Sequence, residues 1–352
     1  MAERGGRIDV LDGWRAVSVT MVIVGHVLNN SSIRIDTPFA HSFTQYAALG
    51  VQIFFVISGF VICRGFIKER AEFGRVSLAA FYVRRFFRII PPLSIYVLSI
   101  VILAYSGIVE PIAIFTTRSL VFACNFPGIN CGGWLGGHTW SLSTEEQFYL
   151  IFPLILVVSG VRGKIVTTVL AIALPFFCLF FYATKFTHTA MFISLFVSIA
   201  VGVAWAMNEK TVRAAANAIP RGTFFVALGL LLIIAHFTGS RVATVFNVLF
   251  DAPLIVMVLM LSMKDIPLVS VLLKSGLVRW LGVVSYSLYL WQQLATTAVP
   301  QAGIGFYALS LGGCLLWVTI SFYWIEKPLI EIGRTVSVKL RRVPREQCLG
   351  SE

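Results

Sequence analysis

The sequence predicts an all-α polytopic membrane protein with about ten transmembrane helices and both termini on the cytoplasmic side. Hydrophobic residues make up 58% of the 352 residues, and charged residues make up only 12%, about half of their share in soluble domains. Phenylalanine alone occurs 29 times, against 16 acidic residues. A chain this apolar needs lipid as its solvent, because a globule of this length has too little interior to bury its side chains. The composition therefore excludes a soluble enzyme and a disordered chain.

Ten segments are long and apolar enough to cross a bilayer as helices, which takes about 20 residues each. They cover residues 12–29, 45–63, 89–107, 144–160, 165–183, 189–207, 222–239, 244–263, 280–299 and 305–325. The longest stretch between them, 108–143, contains CNFPGINCGGWLGGH, a composition typical of a loop. We therefore divide the chain into a cytoplasmic segment 1–11, a membrane domain 12–331 and a basic cytoplasmic tail 332–352, with no further folded domain.

The basic residues predict the orientation of these spans. With the N-terminus in the cytoplasm, 24 of the 28 lysines and arginines fall in cytoplasmic segments. The other four lie outside: Arg34, Arg118, Lys185 and Arg241. Cytoplasmic loops of membrane proteins carry such an excess, and the split favours an even number of spans. The net charge of +12 is therefore a topology signal, and we reject nucleic acid as a partner.

The first span carries two ionisable residues, Arg15 and His26. Their separation of 11 residues is three full helical turns plus about 20°, so they share one face about 16 Å apart along the axis. Ionisable groups inside a membrane span default to a functional interpretation. The alternatives are an arginine that anchors the helix end and a histidine that packs against a neighbouring helix. The shared face favours a lined cavity, with His26 in its outer half.

The fourth span begins HTWSLSTEEQFYLIFP. Ser143 followed by Glu146 is typical of a capping box, which explains Glu146 structurally and leaves Glu145 without such an explanation. We predict that Glu145 lies at the depth of His26, where its carboxylate would orient the imidazole as a general base. His138 is a weaker candidate. In the second span, Gly59 is expected to allow close helix packing, and Ser58 to form a local bond.

Three further groups of residues are candidates. Arg84, Arg85 and Arg88 enter the third span, where they are either ordinary positive-inside charge or a clamp for phosphate, which guanidinium groups bind bidentately. Ser285, Tyr289 and Gln292 share one face of the ninth span, as interhelical contacts or as part of a site. No cysteine or histidine spacing is typical of a metal site. Cys124 and Cys131 bracket an external loop and can form a disulfide in an oxidising periplasm.

Five of these motifs, in order, resemble the acyltransferase 3 family of integral membrane acyltransferases. They are LDGWRAVSVTMVIVGH, GVQIFFVISGF, FYVRRFFRIIPP, HTWSLSTEEQFYLIFP and LGVVSYSLYLW. The resemblance runs from Asp12 to about Glu331. It implies transfer of an acyl group, usually acetyl from acetyl-CoA, to a hydroxyl of a glycan or a related secreted acceptor, in the bacterial cytoplasmic (inner) membrane.

The family's Arg-x10-His pattern falls on Arg15 and His26, its arginine motif on Arg84, Arg85 and Arg88, and its acidic motif on Glu145. These matches imply that His26 and Glu145 are catalytic and that the four arginines bind the phosphates of the donor. We assign substrate binding to Trp140, Tyr149, Tyr289 and Gln292. The family commonly continues Leu-Trp-His where this chain has Gln292, so we expect this position to form hydrogen bonds and not to transfer protons. Many relatives also carry an extracytoplasmic esterase-like domain, which this sequence does not show.

The mechanism expected from these assignments brings acetyl-CoA from the cytoplasm and a glycan or glycolipid acceptor from outside. No permanently bound cofactor is expected. The rival functions are a secondary transporter or flippase of lipid-linked glycans, acylation of a small secreted metabolite, and a non-catalytic sensor. A transporter often shows related halves, and the sequence contains no convincing internal repeat.

Overall fold

The computed structural model of the chain is helical apart from two short strands at its N-terminus. It describes residues 3–4, 7–30, 38–109, 113–126, 131, 133–185, 187–236, 247–299 and 302–341. The strands β1 (Glu3–Arg4) and β2 (Arg7–Ile8) pair antiparallel immediately before the first helix. The predicted all-α class is confirmed, because the strands involve only two residues each.

The first half of the chain forms α1 (Asp9–Asn30), α2 (Pro38–Phe73), α3 (Leu78–Tyr105), α4 (Ala113–Leu120), α5 (Gly133–Gly137), α6 (Thr139–Ser159) and α7 (Gly163–Ala183). The second half forms α8 (Thr187–Met207), α9 (Glu209–Ala218), α10 (Thr223–His236), α11 (Ala252–Ser262), α12 (Pro267–Leu273), α13 (Gly276–Val283), α14 (Ser285–Ala295), α15 (Ile304–Ser321) and α16 (Lys327–Arg341). A 3₁₀ turn (Gly160–Arg162) precedes α7, and π-helical turns precede α11 (Asn247–Asp251) and α16 (Phe322–Glu326).

Six helical stretches are long and apolar enough to cross a membrane among the described residues. Two bent pairs, Phe192–Met207 with Glu209–Ala218 and Asn247–Ser262 with Pro267–Leu273, raise the number to eight if each pair is one span. Every one of the ten predicted segments contains a helix, but α10 has only 14 residues and the ninth segment breaks between α13 and α14. The chain is thus a multi-pass membrane protein, while the count of ten and the side of each terminus stay predictions.

Glycines bring the central helices into direct backbone contact. A methyl group added at Gly59 of α2 would collide with the carbonyl oxygen of Ile199 in α8, and one at Gly202 of α8 with that of Val56 in α2. Backbones can approach this closely only where both helices lack side chains, a common packing mode in membranes. The close packing predicted for Gly59 is therefore confirmed, and it brings the backbones of α2 and α8 into contact.

The C-terminal helix α16 belongs to this bundle and is not an appended tail. It packs along α3, and a Cβ at its Gly333 would lie 2.9 Å from Cβ of Phe87. Glu69 of α2 binds both Arg84 of α3, at 3.4 Å, and Arg341 of α16, at 2.8 Å. The domain boundary predicted after residue 331 falls inside this helix, whereas residues 342–352 lie outside the described residues.

Candidate active site

The predicted site residues lie at three levels along the bundle. We call them the His26 network, the Glu145 cavity and the arginine pocket, and define each below. Arg15 lines the Glu145 cavity, and His26 lies 11 residues further along α1, which is about 16 Å. The helical stretch Gly133–Ser159 shows the same separation. Its Trp134 contacts His26, and its Glu145 comes 11 residues later. The imidazole of His26 and the carboxylate of Glu145 are therefore also about 16 Å apart along the bundle axis.

The His26 network joins α1, α5 and α14 through hydrogen bonds. Nδ1 of His26 lies 3.0 Å from Oε1 of Gln292, and Nε2 of Gln292 donates to Oε1 of Gln293 at 2.7 Å. Nε2 of Gln293 donates to the carbonyl oxygen of Trp134 at 2.7 Å, while the indole of Trp134 donates to the carbonyl oxygen of Gln293 at 3.0 Å. The Trp134 ring also meets the imidazole edge-on, with ring centroids 4.8 Å apart. Both glutamines are buried, and His26 is half-buried.

This network determines which nitrogen of His26 carries the proton. The carbonyl oxygen of Trp134 can only accept, so the Gln293 amide must turn its nitrogen toward it and its oxygen toward Gln292. Gln292 then turns its oxygen toward the imidazole, and Nδ1 must be the donor. The neutral ring consequently carries its proton on Nδ1 and keeps the lone pair on Nε2, the form that a general base requires.

The Glu145 cavity is a narrow space of about 60 Å³ between α1, α2, α6 and α14. The carboxylate of Glu145 accepts hydrogen bonds from the hydroxyl groups of Ser58 and Tyr149. The hydroxyl groups of Ser141 and Tyr289 are 2.7 Å apart. The polar residues lining the cavity are Arg15, Ser58, His138, Ser141, Glu145, Ser285, Tyr286 and Tyr289. A guanidinium and a carboxylate therefore face one small, largely apolar space.

This geometry corrects two expectations. Glu145 lies near the depth of Arg15, not of His26, and no hydrogen bond joins it to the imidazole among the described residues; Gln292 takes that position. The reason is the start of the helical stretch, which begins at Gly133 and not near residue 144, so Trp134 meets His26 and Glu145 lies 11 residues further along, beside Arg15 of the antiparallel α1. Ser58, expected to bond locally, instead crosses to α6.

The predicted capping box is also wrong. The helix begins at Thr139, so Ser143 lies inside α6, where its hydroxyl donates to the carbonyl oxygen of Thr139 at 2.9 Å. Glu146 is consequently not at a helix start, and its Oε1 is buried without a hydrogen-bond partner in the described part of the chain. Gly133–Gly137, which composition assigned to a loop, forms the short helix α5 and extends the helical stretch.

The arginine pocket has a volume of about 330 Å³ and lies between α2, α3 and α16. It is lined by Arg84, Arg85, Arg88, Arg334 and Arg341, and by one acidic residue, Glu69. Nη1 of Arg84 and Nε of Arg341 are buried without hydrogen-bond partners among the described residues. Buried guanidinium nitrogens are costly when unpaired. Five cations against one anion, with donors unused, therefore favour a multiply charged anion as ligand.

Tyr149 separates the arginine pocket from the Glu145 cavity. The guanidinium carbon of Arg85 lies 4.6 Å from the centroid of its ring, a cation–π distance, while its hydroxyl donates to Glu145. The buried Tyr149 ring thus couples the two levels.

The other predicted residues have these positions. Trp140 packs edge-on against Phe55, with centroids 6.2 Å apart, and Phe55 lines the Glu145 cavity. Cys124 and Cys131 are disulfide-bonded, with Cα atoms 5.5 Å apart. The backbone N–H of Cys124 donates to Ser143 at 3.2 Å, so the loop is attached to α6.

Sequence reasoning missed Trp134, Gln293, Arg334 and Arg341. Gln293 follows Gln292 directly, and both buried side chains form hydrogen bonds in the His26 network. Arg334 and Arg341 were counted as tail charge, but the seven-residue spacing between them is two helical turns, which places both on one face of a helix. That periodicity was the available signal for their shared position.

The comparisons with known proteins agree with this architecture. The family model of the acyltransferase domain (acyltransferase 3) matches residues 8–326, and the chain belongs to this family of integral membrane acyltransferases. It is 25% identical to "Peptidoglycan O-acetyltransferase OatA" of Listeria monocytogenes over 92% of this chain and 56% of that protein. It is 26% identical to YrhL of Bacillus subtilis, whose name provisionally gives the same activity, over 92% of this chain and 55% of that protein. The chain thus spans a little over half the length of these relatives. No solved structure matches it.

Proposed function

We propose that this chain is an O-acetyltransferase of the bacterial cytoplasmic membrane that moves an acetyl group from acetyl-CoA to a hydroxyl of a cell-surface glycan or glycolipid. Membership of the acyltransferase family and the name of the Listeria relative support this class. The observation that carries the proposal is the hydrogen-bond network that leaves Nε2 of His26 as a base. Peptidoglycan is the acceptor that the relative's name suggests, and other surface glycans share its hydroxyl chemistry.

In the proposed reaction, the arginine pocket opens to the cytoplasmic side predicted from the basic residues, and it binds the phosphates of acetyl-CoA. The acetyl thioester extends past Tyr149 and through the Glu145 cavity toward His26. Glu145 and Arg15 position the thioester end of the donor. Trp140 and Tyr289 line the path by which the acceptor reaches it. The cavity is narrow, so we expect its side chains to move apart when the donor enters.

The chemistry is a direct acyl transfer. Nε2 of His26 removes the proton from the acceptor hydroxyl, and the hydroxyl oxygen attacks the carbonyl carbon of the thioester. The carbon–sulfur bond breaks, and the imidazolium returns its proton to the sulfur of CoA. The products are an acetyl ester and free CoA, with no covalent enzyme intermediate.

Donor binding gives the first prediction. Arg84→Lys, Arg85→Lys and Arg88→Lys should each weaken acetyl-CoA binding by about 10–100-fold, the equivalent of about 1.5–3 kcal/mol for hydrogen bonds to charged groups. Lysine keeps the charge but lacks the planar fork that holds phosphate. Arg334→Gln should weaken binding as well, whereas Lys339→Gln on the same helix should not, because Lys339 does not line the pocket. Calorimetric titration of the purified protein in nanodiscs measures all five.

If acetyl-CoA binds all three lysine variants as tightly as the wild type, these arginines are topology charges and the donor site lies elsewhere. A matching test in cells compares acetyl esters on surface glycans with and without the gene. Unchanged ester content would contradict the proposed activity itself.

The two adjacent glutamates give the second prediction. Glu145→Gln should lower acetyl transfer by about 10–100-fold, because it removes the anion that accepts from Ser58 and Tyr149 and faces Arg15. Glu146→Gln should retain most activity, since its buried Oε1 has no hydrogen-bond partner to lose among the described residues. Initial rates with labelled acetyl-CoA distinguish them, and an inactive Glu146→Gln beside an active Glu145→Gln would invert the assignment.

A further inference from the structure

A second, larger cavity lies on the flank of the bundle, outside the site described above. This lateral groove has a volume of about 740 Å³ and runs between the ends of α2, α6 and α8 and the start of α7. Its apolar walls include Ile67, Pro153 and Leu156. Val157 on its rim is 56% exposed and Ile165, just beyond it, is 65% exposed. In a membrane protein such exposed aliphatic residues face lipid, so the groove is open to acyl chains.

The polar residues of the groove all carry the same charge. Arg70, Arg75 and Lys164 line it, and none of its described lining residues is acidic. The Nη1 atom of Arg70 makes a long contact of 3.5 Å with the carbonyl oxygen of Gly160, which places the guanidinium at the mouth and uses one of its five N–H donors. The three cations belong to the end of the bundle that also holds the arginine pocket, where basic residues concentrate.

We propose that the lateral groove binds an anionic glycerophospholipid, with the headgroup phosphate on Arg70, Arg75 and Lys164 and one acyl chain along the apolar wall. The charges and the apolar wall indicate this ligand. Three cations without a neighbouring carboxylate favour a phosphate group, and the adjoining apolar channel can hold an acyl chain of the same lipid. Basic pockets between membrane helices bind lipid headgroups by this combination. The acyl chain of a zwitterionic lipid would also fit the channel, but the cationic part of its headgroup would be repelled by the three basic side chains.

The groove is close to the donor site without being part of it. Phe66 of α2 lines both the groove and the arginine pocket and packs against Phe81 of α3, with ring centroids 4.8 Å apart. A lipid seated in the groove therefore supports the α2 segment that carries Glu69. The proposal does not depend on the acyltransferase reaction, because it concerns only lipid binding.

The test measures binding of dioleoyl phosphatidylglycerol to the delipidated protein by native mass spectrometry, with dioleoyl phosphatidylcholine as the comparison lipid. We expect phosphatidylglycerol to bind at least tenfold more tightly. The triple variant Arg70→Gln/Arg75→Gln/Lys164→Gln should lose at least tenfold in phosphatidylglycerol affinity, since each basic residue near anionic lipid contributes about 1 kcal/mol. The control triple Lys210→Gln/Arg221→Gln/Lys339→Gln removes the same charge outside the groove and should change affinity less than twofold.

A variant that keeps all charges tests the groove separately. Ala71 lines the groove and is exposed on α2, so Ala71→Phe fills the channel without disturbing the core. It should also weaken phosphatidylglycerol binding at least tenfold, with an unchanged melting temperature in detergent. Equal losses in the two triple variants, equal affinity for the two lipids, or full affinity in Ala71→Phe would each overturn the proposal.

Discussion

Replacing His26 by alanine is expected to lower acetyl transfer by about 10²–10⁴-fold while the protein still inserts and folds. The range is the usual contribution of a positioned general base. In the proposed reaction the imidazole is the group that takes the acceptor proton, and its Nε2 is free to do so because Nδ1 is bound to Gln292. Acetyl-CoA affinity should stay within about twofold, since the arginine pocket lies beyond the Glu145 cavity. The measurement is the initial rate of labelled acetyl transfer at saturating donor.

His236→Ala is the matched control, because it removes another histidine from the end of a helix, α10, that does not carry the site. It should retain wild-type activity. Normal glycan acetylation by well-expressed His26→Ala protein would exclude the imidazole as the base and would leave the hydrogen-bond network without its proposed purpose.

Replacing Gln292 by leucine should cost on the order of 10²-fold in kcat, although Gln292 does not touch the reacting atoms. Leucine cannot accept from Nδ1 of His26, so the imidazole loses the partner that holds its tautomer and its orientation. Partners that orient a functional imidazole typically contribute 10–100-fold in metal sites, where the ring is held in the same way. The acceptor KM should change little, because the loss concerns the base and not the bound acceptor.

Gln292→His provides the rescue that a positioning role requires. A ring nitrogen of histidine can accept from His26, and histidine is the residue that the family commonly has after Leu-Trp. This variant should regain most of the kcat lost in Gln292→Leu. A Gln292→Leu enzyme with normal kcat, or a rescue variant as slow as leucine at equal melting temperature, would contradict the tautomer argument.

In the proposed reaction, the same network explains how an amide can replace the histidine that is common at this position. Gln292 is oriented on its far side by Gln293, which is itself bound to the carbonyl oxygen of Trp134. An amide held in one orientation presents a single acceptor to His26, so the charge or basicity of a second imidazole is not needed to choose the tautomer.

Much of the fold and part of the site could be predicted from the sequence, because they depend on local regularities. Composition identified a membrane protein, and the spacing of Arg15 and His26 by 11 residues placed both on one face of α1. The four-residue spacing of Arg84 and Arg88 likewise placed both on one side of α3, where they line one pocket. Helical periodicity is a property of a single segment, so it can be recognised before any packing is known.

The partners of these residues were decided by tertiary structure. His26 meets Gln292, 266 positions later in the chain, and not Glu145, because the helical stretch that carries Glu145 begins at Gly133 and places the carboxylate beside Arg15. Arg341 reaches Glu69 across 272 positions because α16 packs along α3. Composition and local spacing thus predicted a helical membrane protein and most of the polar residues that line its candidate site. Only the packing decided which of those residues meet, because hydrophobic patterning specifies that a face is buried but not which neighbouring helix buries it.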